Sequence, residues 1–200
     1  MTSITIGFIG LGHVGKALTA KSVQAGNRVL LSNQRGPSSL TSYVAALGPL
    51  ASAGTVAEAA QADVVFLAVP WAAIGQSLQG LPNWEGRIVV DATNPILADG
   101  TYVDLGEHTS SELVTAQLPG ARVVKAFNSL FAAWMADEPK QPAGKRVVFV
   151  SGDEADAKQT VKELIAAMGF APIDLGGLVE GGRFQQAGKP LAALNLLLTN

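Results

Sequence analysis

The 200-residue chain is 48% apolar and 15% charged, with a net charge of −2; it carries ample core material and no general attraction to nucleic acid. It has no cysteine and only two histidines, His13 and His108, which excludes disulfides, thiol nucleophiles and thiolate metal centres and leaves no metal site expected. No apolar run approaches membrane-spanning length, and no cationic side chain precedes Lys16, so the chain is expected to be cytoplasmic, without a signal peptide or a membrane partner.

Ile4 to Ile9 reads as a buried strand, and Gly10, Gly12 and Gly15 follow it at the spacing G-x-G-x-x-G. A helix then runs from about Gly12 to Gln24, with Gly26 as its stop. Strand, glycine turn and helix in that order form a dinucleotide-binding fingerprint. Gly10 permits the tight turn, Gly12 leaves room for a pyrophosphate, and Gly15 lets helix and strand pack closely. The helix N-terminus offers free N–H groups and the positive end of its dipole. Arg28 to Ser32 is the second strand. An NAD site expects an acidic residue near its end, yet no Asp or Glu occurs before Glu58. The strand runs instead into Asn33, Gln34 and Arg35, donors suited to a 2′-phosphate, so the pattern favours NADP over NAD.

Pro37 to Leu47 reads as a short helix, and Thr55 to Glu58 is a capping box opening another. Asp63 to Val69 is a buried strand ending at Pro70 and Trp71. Trp71 either walls a ligand site or packs in the core. Arg87 to Asp91 is a strand ending in Asn94-Pro95, a turn signal. A second capping box, Thr109 to Glu112, opens a helix to about Leu118, and Arg122 to Phe127 is the next strand. Val147 to Ser151 follows as a strand. Asp153 is expected to cap a helix from Glu154 to Met168, and Ala171 to Leu175 is the last strand. The tail, Pro190 to Leu198, reads as an apolar helix. Strands alternate with helices, so the expected fold is α/β: a Rossmann-type, doubly wound, mostly parallel sheet in one domain. The core is expected over residues 1–150, with a small C-terminal α/β extension over 151–200.

The segments Gly10 to Gly15, Ser32 to Pro37, Val69 to Trp71, Asp91 to Pro95, Val124 to Asn128, Ser151 to Asp153 and Asp174 to Gly177 occur in this order. Together they resemble the deazaflavin-dependent NADP oxidoreductases, also called NADPH-dependent coenzyme F-420 reductases. They also look like the cytosolic oxidoreductase domain of the six-transmembrane ferric reductases. The resemblance implies a dimeric Rossmann protein passing hydride between NADP(H) and a deazaflavin or flavin acceptor. It implies that Gly10, Leu11, Gly12, His13 and Val14 hold the pyrophosphate, and that Asn33, Gln34 and Arg35 hold the 2′-phosphate. Val69, Pro70, Trp71, Asn94 and Pro95 would line the nicotinamide side, with Phe127, Asn128, Leu130 and Phe131 toward the acceptor; the residues themselves leave equally open that Phe127, Leu130 and Phe131 belong to the core or to a dimer interface. Gln34 departs from the usual family pattern, so discrimination for NADP would rest more on Arg35, and the departures at Ser129, Leu130 and Phe131 leave the acceptor open between deazaflavin, flavin and another molecule. Hydride transfer between two rings needs no side-chain acid or base, so no catalytic residue is expected. Lys125 and His108 read as structural and surface residues. The alternatives are an NADPH-sensing module without turnover, and a reductase of a small carbonyl or imine.

Overall fold

The structure, a computed structural model, describes residues 4–81 and 83–199. Residues 5–9 form β1 (Thr5–Ile9), followed by α1 (His13–Gln24), β2 (Arg28–Ser32), α2 (Thr41–Leu47), β3 (Ala51–Ala53) and α3 (Val56–Ala59). Then come β4 (Val64–Leu67), α4 (Ile74–Leu78), β5 (Ile88–Asp91), α5 (Ser110–Thr115), β6 (Arg122–Ala126) and α6 (Ala132–Ala136). The chain continues through β7 (Lys140–Gln141), β8 (Gly144–Gly152), α7 (Ala155–Ala167), β9 (Ala171–Asp174), α8 (Glu180–Gln185) and β10 (Leu197–Leu198).

One half of the sheet has the order β3-β2-β1-β4-β5-β6, all parallel, the strand order of doubly wound dinucleotide-binding folds. The order reverses at β1, which lies between β2 and β4. Ligands of such sheets bind at that reversal, beyond the carboxyl ends of the strands. β8 then runs antiparallel to β6, and β9 pairs parallel to β8. The central strands are apolar on both faces because helices cover both, as a parallel sheet requires. One face buries Phe8, Phe66, Phe127 and Phe170, and the other buries Ile9, Leu67, Ile74 and Trp84.

Both capping boxes are formed. Thr55 accepts from the Glu58 amide and Thr109 from the Glu112 amide, while each glutamate reaches back to the cap amide.

Three expectations are corrected. The tail is not helical: residues 191–193 turn, and Leu197 and Leu198 pair antiparallel with Arg146 and Lys145. The reason lies in β8, which begins at Gly144, earlier than its apolar run suggests. Its early residues need partners, and the tail supplies them, with the Val147 amide donating to the Leu196 carbonyl. Edge pairing thus outweighs the helical propensity of a Leu/Ala-rich segment. Asp153 does not cap α7; its Oδ1 accepts from the Leu178 amide and ties the C-terminal segment to the sheet. Phe127 does not continue β6. It adopts a left-handed backbone, φ 65°, and its side chain is fully buried.

Candidate functional site

The site begins at the carboxyl end of β1. Gly10 has φ 99°, and a Cβ there would lie 2.5 Å from the Ala68 carbonyl oxygen. At Gly15 a Cβ would lie 2.2 Å from the Gly10 carbonyl oxygen. Both glycines are therefore demanded by the protein itself. Gly12 differs: a Cβ there meets no protein atom within 4 Å. Gly12 is the N-cap of α1 and provides no side-chain cap, and the first turn holds no acid. The first N–H groups of α1 consequently lack helical acceptors and face the space beside Gly12. His13 opens that turn and is exposed, while Leu11 and Val14 are half-buried against the core.

A groove of about 300 Å³ adjoins this turn, lined among others by Gly10, Asn33, Gln34, Arg35, Val69 and Pro70. Its polar lip is built by an Asx turn. Asn33 Oδ1 accepts from the Arg35 amide at 2.8 Å, and Gly36 follows at φ 82°. This leaves the Arg35 side chain exposed, and among the described residues it makes no ion pair. Gln34 Nε2 donates to Ser77 Oγ at 3.4 Å, across the groove. Trp71 lies outside this lining; it is half-buried and packs against the apolar layer containing Ile74 and Leu78.

At the ends of β5 and β6 the structure assembles a polar network beneath Asn94 and Asn128. Asp91 and Lys125 are both fully buried, with Lys125 Nζ 3.0 Å from Asp91 Oδ2. Ser111 Oγ donates to that oxygen at 2.5 Å. The amide and hydroxyl of Thr93 donate to Asp91 Oδ1 at 2.9 and 2.7 Å. Burial alone would raise the Asp91 pKa. The Lys125 charge and the donors from Ser111 and Thr93 outweigh it, and the carboxyl lies below its ordinary range.

Above this pair, Asn94 Nδ2 donates to the Asn128 carbonyl at 2.8 Å. Asn128 Nδ2 donates to the Gln185 carbonyl at 2.7 Å and to Asn94 Oδ1 at 3.2 Å. Gln185 Nε2 in turn donates to the Lys125 carbonyl at 3.0 Å. Asn128 Oδ1 and Gln185 Oε1 are buried without a protein partner among the described residues. Pro95 is buried beside Asn94, which is half-buried.

The four residues expected toward the acceptor are not brought together. Phe127 sits inside the core, its ring centroid 5.9 Å from Phe66 and 5.8 Å from Phe170. Leu130 is buried in the same layer. Asn128 is spent largely on the internal network. Phe131 alone is exposed, packed edge-on against Trp134 at 4.7 Å.

Sequence reasoning left Lys125 to snorkel or to pair with an acid; it did not identify Asp91 as that acid, and it missed the contribution of α8. A signal for the pair was present. Opposite charges interrupt the runs Ile88 to Asp91 and Arg122 to Ala126, and parallel pairing puts them in register. Nothing local signalled Gln185, which reaches Lys125 from 60 residues away.

Residues 5–95 match the family described as "NADP oxidoreductase coenzyme F420-dependent". The chain is 32% identical to Metalloreductase STEAP3 of Rattus norvegicus over 177 residues, 86% of this chain and 34% of that protein. It thus spans about a third of the length of the curated relatives it matches. Among solved structures it is similar to the hypothetical protein SMa0349 from Sinorhizobium meliloti, with 44% identity and a TM-score of 0.92, covering 98% of this chain and 96% of that one. It is similar also to a proposed F420-dependent NADP reductase from Arthrobacter sp. FB24, with 25% identity and a TM-score of 0.74, covering 90% and 89% of the two chains. The glycine turn at the sheet reversal and these likenesses agree: residues 5–95 match the coenzyme F420-dependent NADP oxidoreductase family, and the chain as a whole shares its fold with a proposed F420-dependent NADP reductase.

Proposed function

We propose that the chain binds NADPH along the carboxyl edge of β1, β2 and β4 and passes hydride to a flavin or deazaflavin acceptor. The observation that carries this reading is the open space beside Gly12, in front of an uncapped helix N-terminus and next to a groove with an exposed arginine. The residues fit the group. Amides of the first α1 turn suit a pyrophosphate, which needs close backbone approach and donors. Arg35 and Asn33 suit a 2′-phosphate, since no carboxylate lies in the first 57 residues to repel it. Val69 and Pro70 give the groove an apolar wall. Asn94, held by its hydrogen bonds to Asn128, and Pro95 follow the carboxyl end of β5 and are assigned to the nicotinamide end. When bound, the nicotinamide supplies the hydride. The protein holds it in place and excludes water, and no proton-transferring side chain is assigned.

The test is oxidation of NADPH and NADH with a panel of flavins and deazaflavins. NADPH is expected to bind at least about tenfold more tightly than NADH, a difference of about 1.4 kcal/mol. Arg35→Asp is expected to erase that preference by weakening NADPH while sparing NADH. Equal affinity for both nucleotides in the unaltered protein would remove Arg35 from the site. Absence of turnover with every acceptor, with NADPH still bound, would favour a sensing module.

A further inference from the structure

Asn94 follows the carboxyl end of β5, and the residues that fix it, Thr93, Lys125, Asn128 and Gln185, are all buried. Its backbone is held from the Thr93 side. Lys125 Nζ donates to the Thr93 carbonyl at 3.3 Å, and the Thr93 amide and hydroxyl both donate to Asp91. Its side chain is gripped twice by Asn128, through the main-chain carbonyl at 2.8 Å and through Nδ2 at 3.2 Å. A carbonyl oxygen only accepts, so this pairing admits one sense of the Asn94 amide. Asn128 is fixed in the same manner. Its Nδ2 donates to the Gln185 carbonyl at 2.7 Å, and the reversed amide would set two oxygens against each other. Gln185 is anchored by its own Nε2, which donates to the Lys125 carbonyl at 3.0 Å.

The fold bears three local costs along this chain of contacts. Phe127, immediately before Asn128, has φ 65°, a conformation that bulky side chains rarely adopt. Asn128 Oδ1 and Gln185 Oε1 are both buried, and among the described residues neither has a hydrogen-bond partner. Strained backbone and orphaned acceptors persist where the surrounding packing enforces a functional geometry. All three costs fall on the two segments that hold Asn94. Asn94 itself is half-buried. Among the described residues its amide keeps one hydrogen and one oxygen lone pair uncommitted. The chemical complement of that donor–acceptor edge is another primary carboxamide, and the nicotinamide ring bears one.

We propose that α8 is a positioning element for the nicotinamide end of the site: Gln185 and Asn128 lock Asn94 in a single orientation, and Asn94 in that orientation pairs with the nicotinamide carboxamide. The inference rests on the nucleotide reading above. It adds a task for the C-terminal extension, which acts on the ring through Asn94. Gln185 and Asn128 are therefore positioning residues, and Asn94 is the residue that touches the cofactor. Because the orientation of Asn94 is fixed, the carboxamide is turned one way, and the ring offers one face to the acceptor.

The experiment is an equilibrium titration of the intact protein with NADP⁺, with NAD⁺, and with the 3-acetylpyridine analogue of NADP⁺, in which a methyl group replaces the carboxamide nitrogen. NADP⁺ is expected to bind about tenfold more tightly than the analogue, the scale of one hydrogen bond between neutral groups. Asn94→Leu should erase that difference. Gln185→Met and Asn128→Leu, which leave Asn94 in place, should erase it too. The preference for NADP⁺ over NAD⁺ is assigned to Asn33 and Arg35 and should persist in all three variants. A substitution that only damaged the fold would lose both preferences together. A second measurement needs no buried substitution to fold: the side-chain amide NMR signal of Asn94 in the unaltered protein. It should shift with NADP⁺ and stay in place with 2′-phospho-ADP-ribose, which lacks the nicotinamide. Equal affinity for NADP⁺ and the analogue, or an Asn94 signal that NADP⁺ leaves unmoved, would overturn the carboxamide contact while the nucleotide reading stands. A difference that survives both Gln185→Met and Asn128→Leu would overturn the role of α8. Loss of both preferences in those two variants would show a structural role and overturn it as well. Failure to bind NADP⁺ at all would overturn the nucleotide reading and this inference with it.

Discussion

Lys125→Met is expected to lower the free energy of unfolding by about 3–5 kcal/mol, because it leaves Asp91 buried and unpaired. Against a typical total of about 5–15 kcal/mol, that is enough to make the protein marginal. Both partners are fully inaccessible, so water cannot substitute for the lost ammonium. Asp91→Leu should cost a similar amount, since it strands Lys125 and frees Thr93 and Ser111 from their acceptor. The pair replaced together, Asp91→Leu with Lys125→Met, should lose much less than the sum of the singles. A well-packed apolar pair often matches a buried ion pair in stability, and residues in contact do not add. Urea unfolding with an unchanged m-value measures all three. Additive losses would show that the two side chains act independently.

The pH dependence has a defined sign. The Asp91 pKa is lowered in the folded protein, against about 3.9 in an unfolded chain. Its contribution is therefore complete above the unfolded value and disappears as the pH falls through the folded one. Asp91→Leu should flatten that acid limb of the stability curve.

Local patterns carried the N-terminal half of the fold. The Ile4–Ile9 run, the three glycines and the helix behind them each obey a short-range rule, and all three agree on one structure. Both capping boxes were legible for the same reason, as each is complete within four residues. The features that escaped are those decided by distant partners. The tail has the composition of a helix, yet its conformation is set by the open edge of β8, some 50 residues earlier in the chain. Phe127 read as the last residue of a strand, with a ligand-facing and a core position both open to it. A left-handed turn at that residue swings the ring into the core, where Phe66 and Phe170 accept it. Asp153 had the sequence position of a cap, but the Leu178 amide claims it. The candidate site divides in the same way. The glycine turn and the Asn33–Arg35 lip are continuous stretches. The network around Asn128 joins β5, β6 and α8, and Gln185 reaches Lys125 across 60 residues of chain.

Gly12→Val is expected to leave the fold intact and to weaken NADPH binding by roughly a hundredfold or more, about 2.7 kcal/mol. The backbone there, φ −70° and ψ −165°, is ordinary extended geometry that a β-branched residue accepts. An added Cβ meets no protein atom within 4 Å. Valine is a poorer N-cap than glycine, by about 1 kcal/mol, which for a chain of this size shifts Tm by about 2–4 °C. What the valine does occupy is the space in front of the free N–H groups of α1, where a pyrophosphate must come within hydrogen-bond reach. The control is Gly15→Val, whose Cβ would lie 2.2 Å from the Gly10 carbonyl oxygen. Helix and strand would have to separate, so this variant should lose stability and binding together. The same residue type thus performs two tasks in one turn: at position 15 it serves packing, and at position 12 it leaves room for a ligand. Circular dichroism, thermal melting and NADPH titration on the two variants separate these tasks. A Gly12→Val protein with native spectra and unchanged NADPH affinity would show that the nucleotide does not approach this helix terminus.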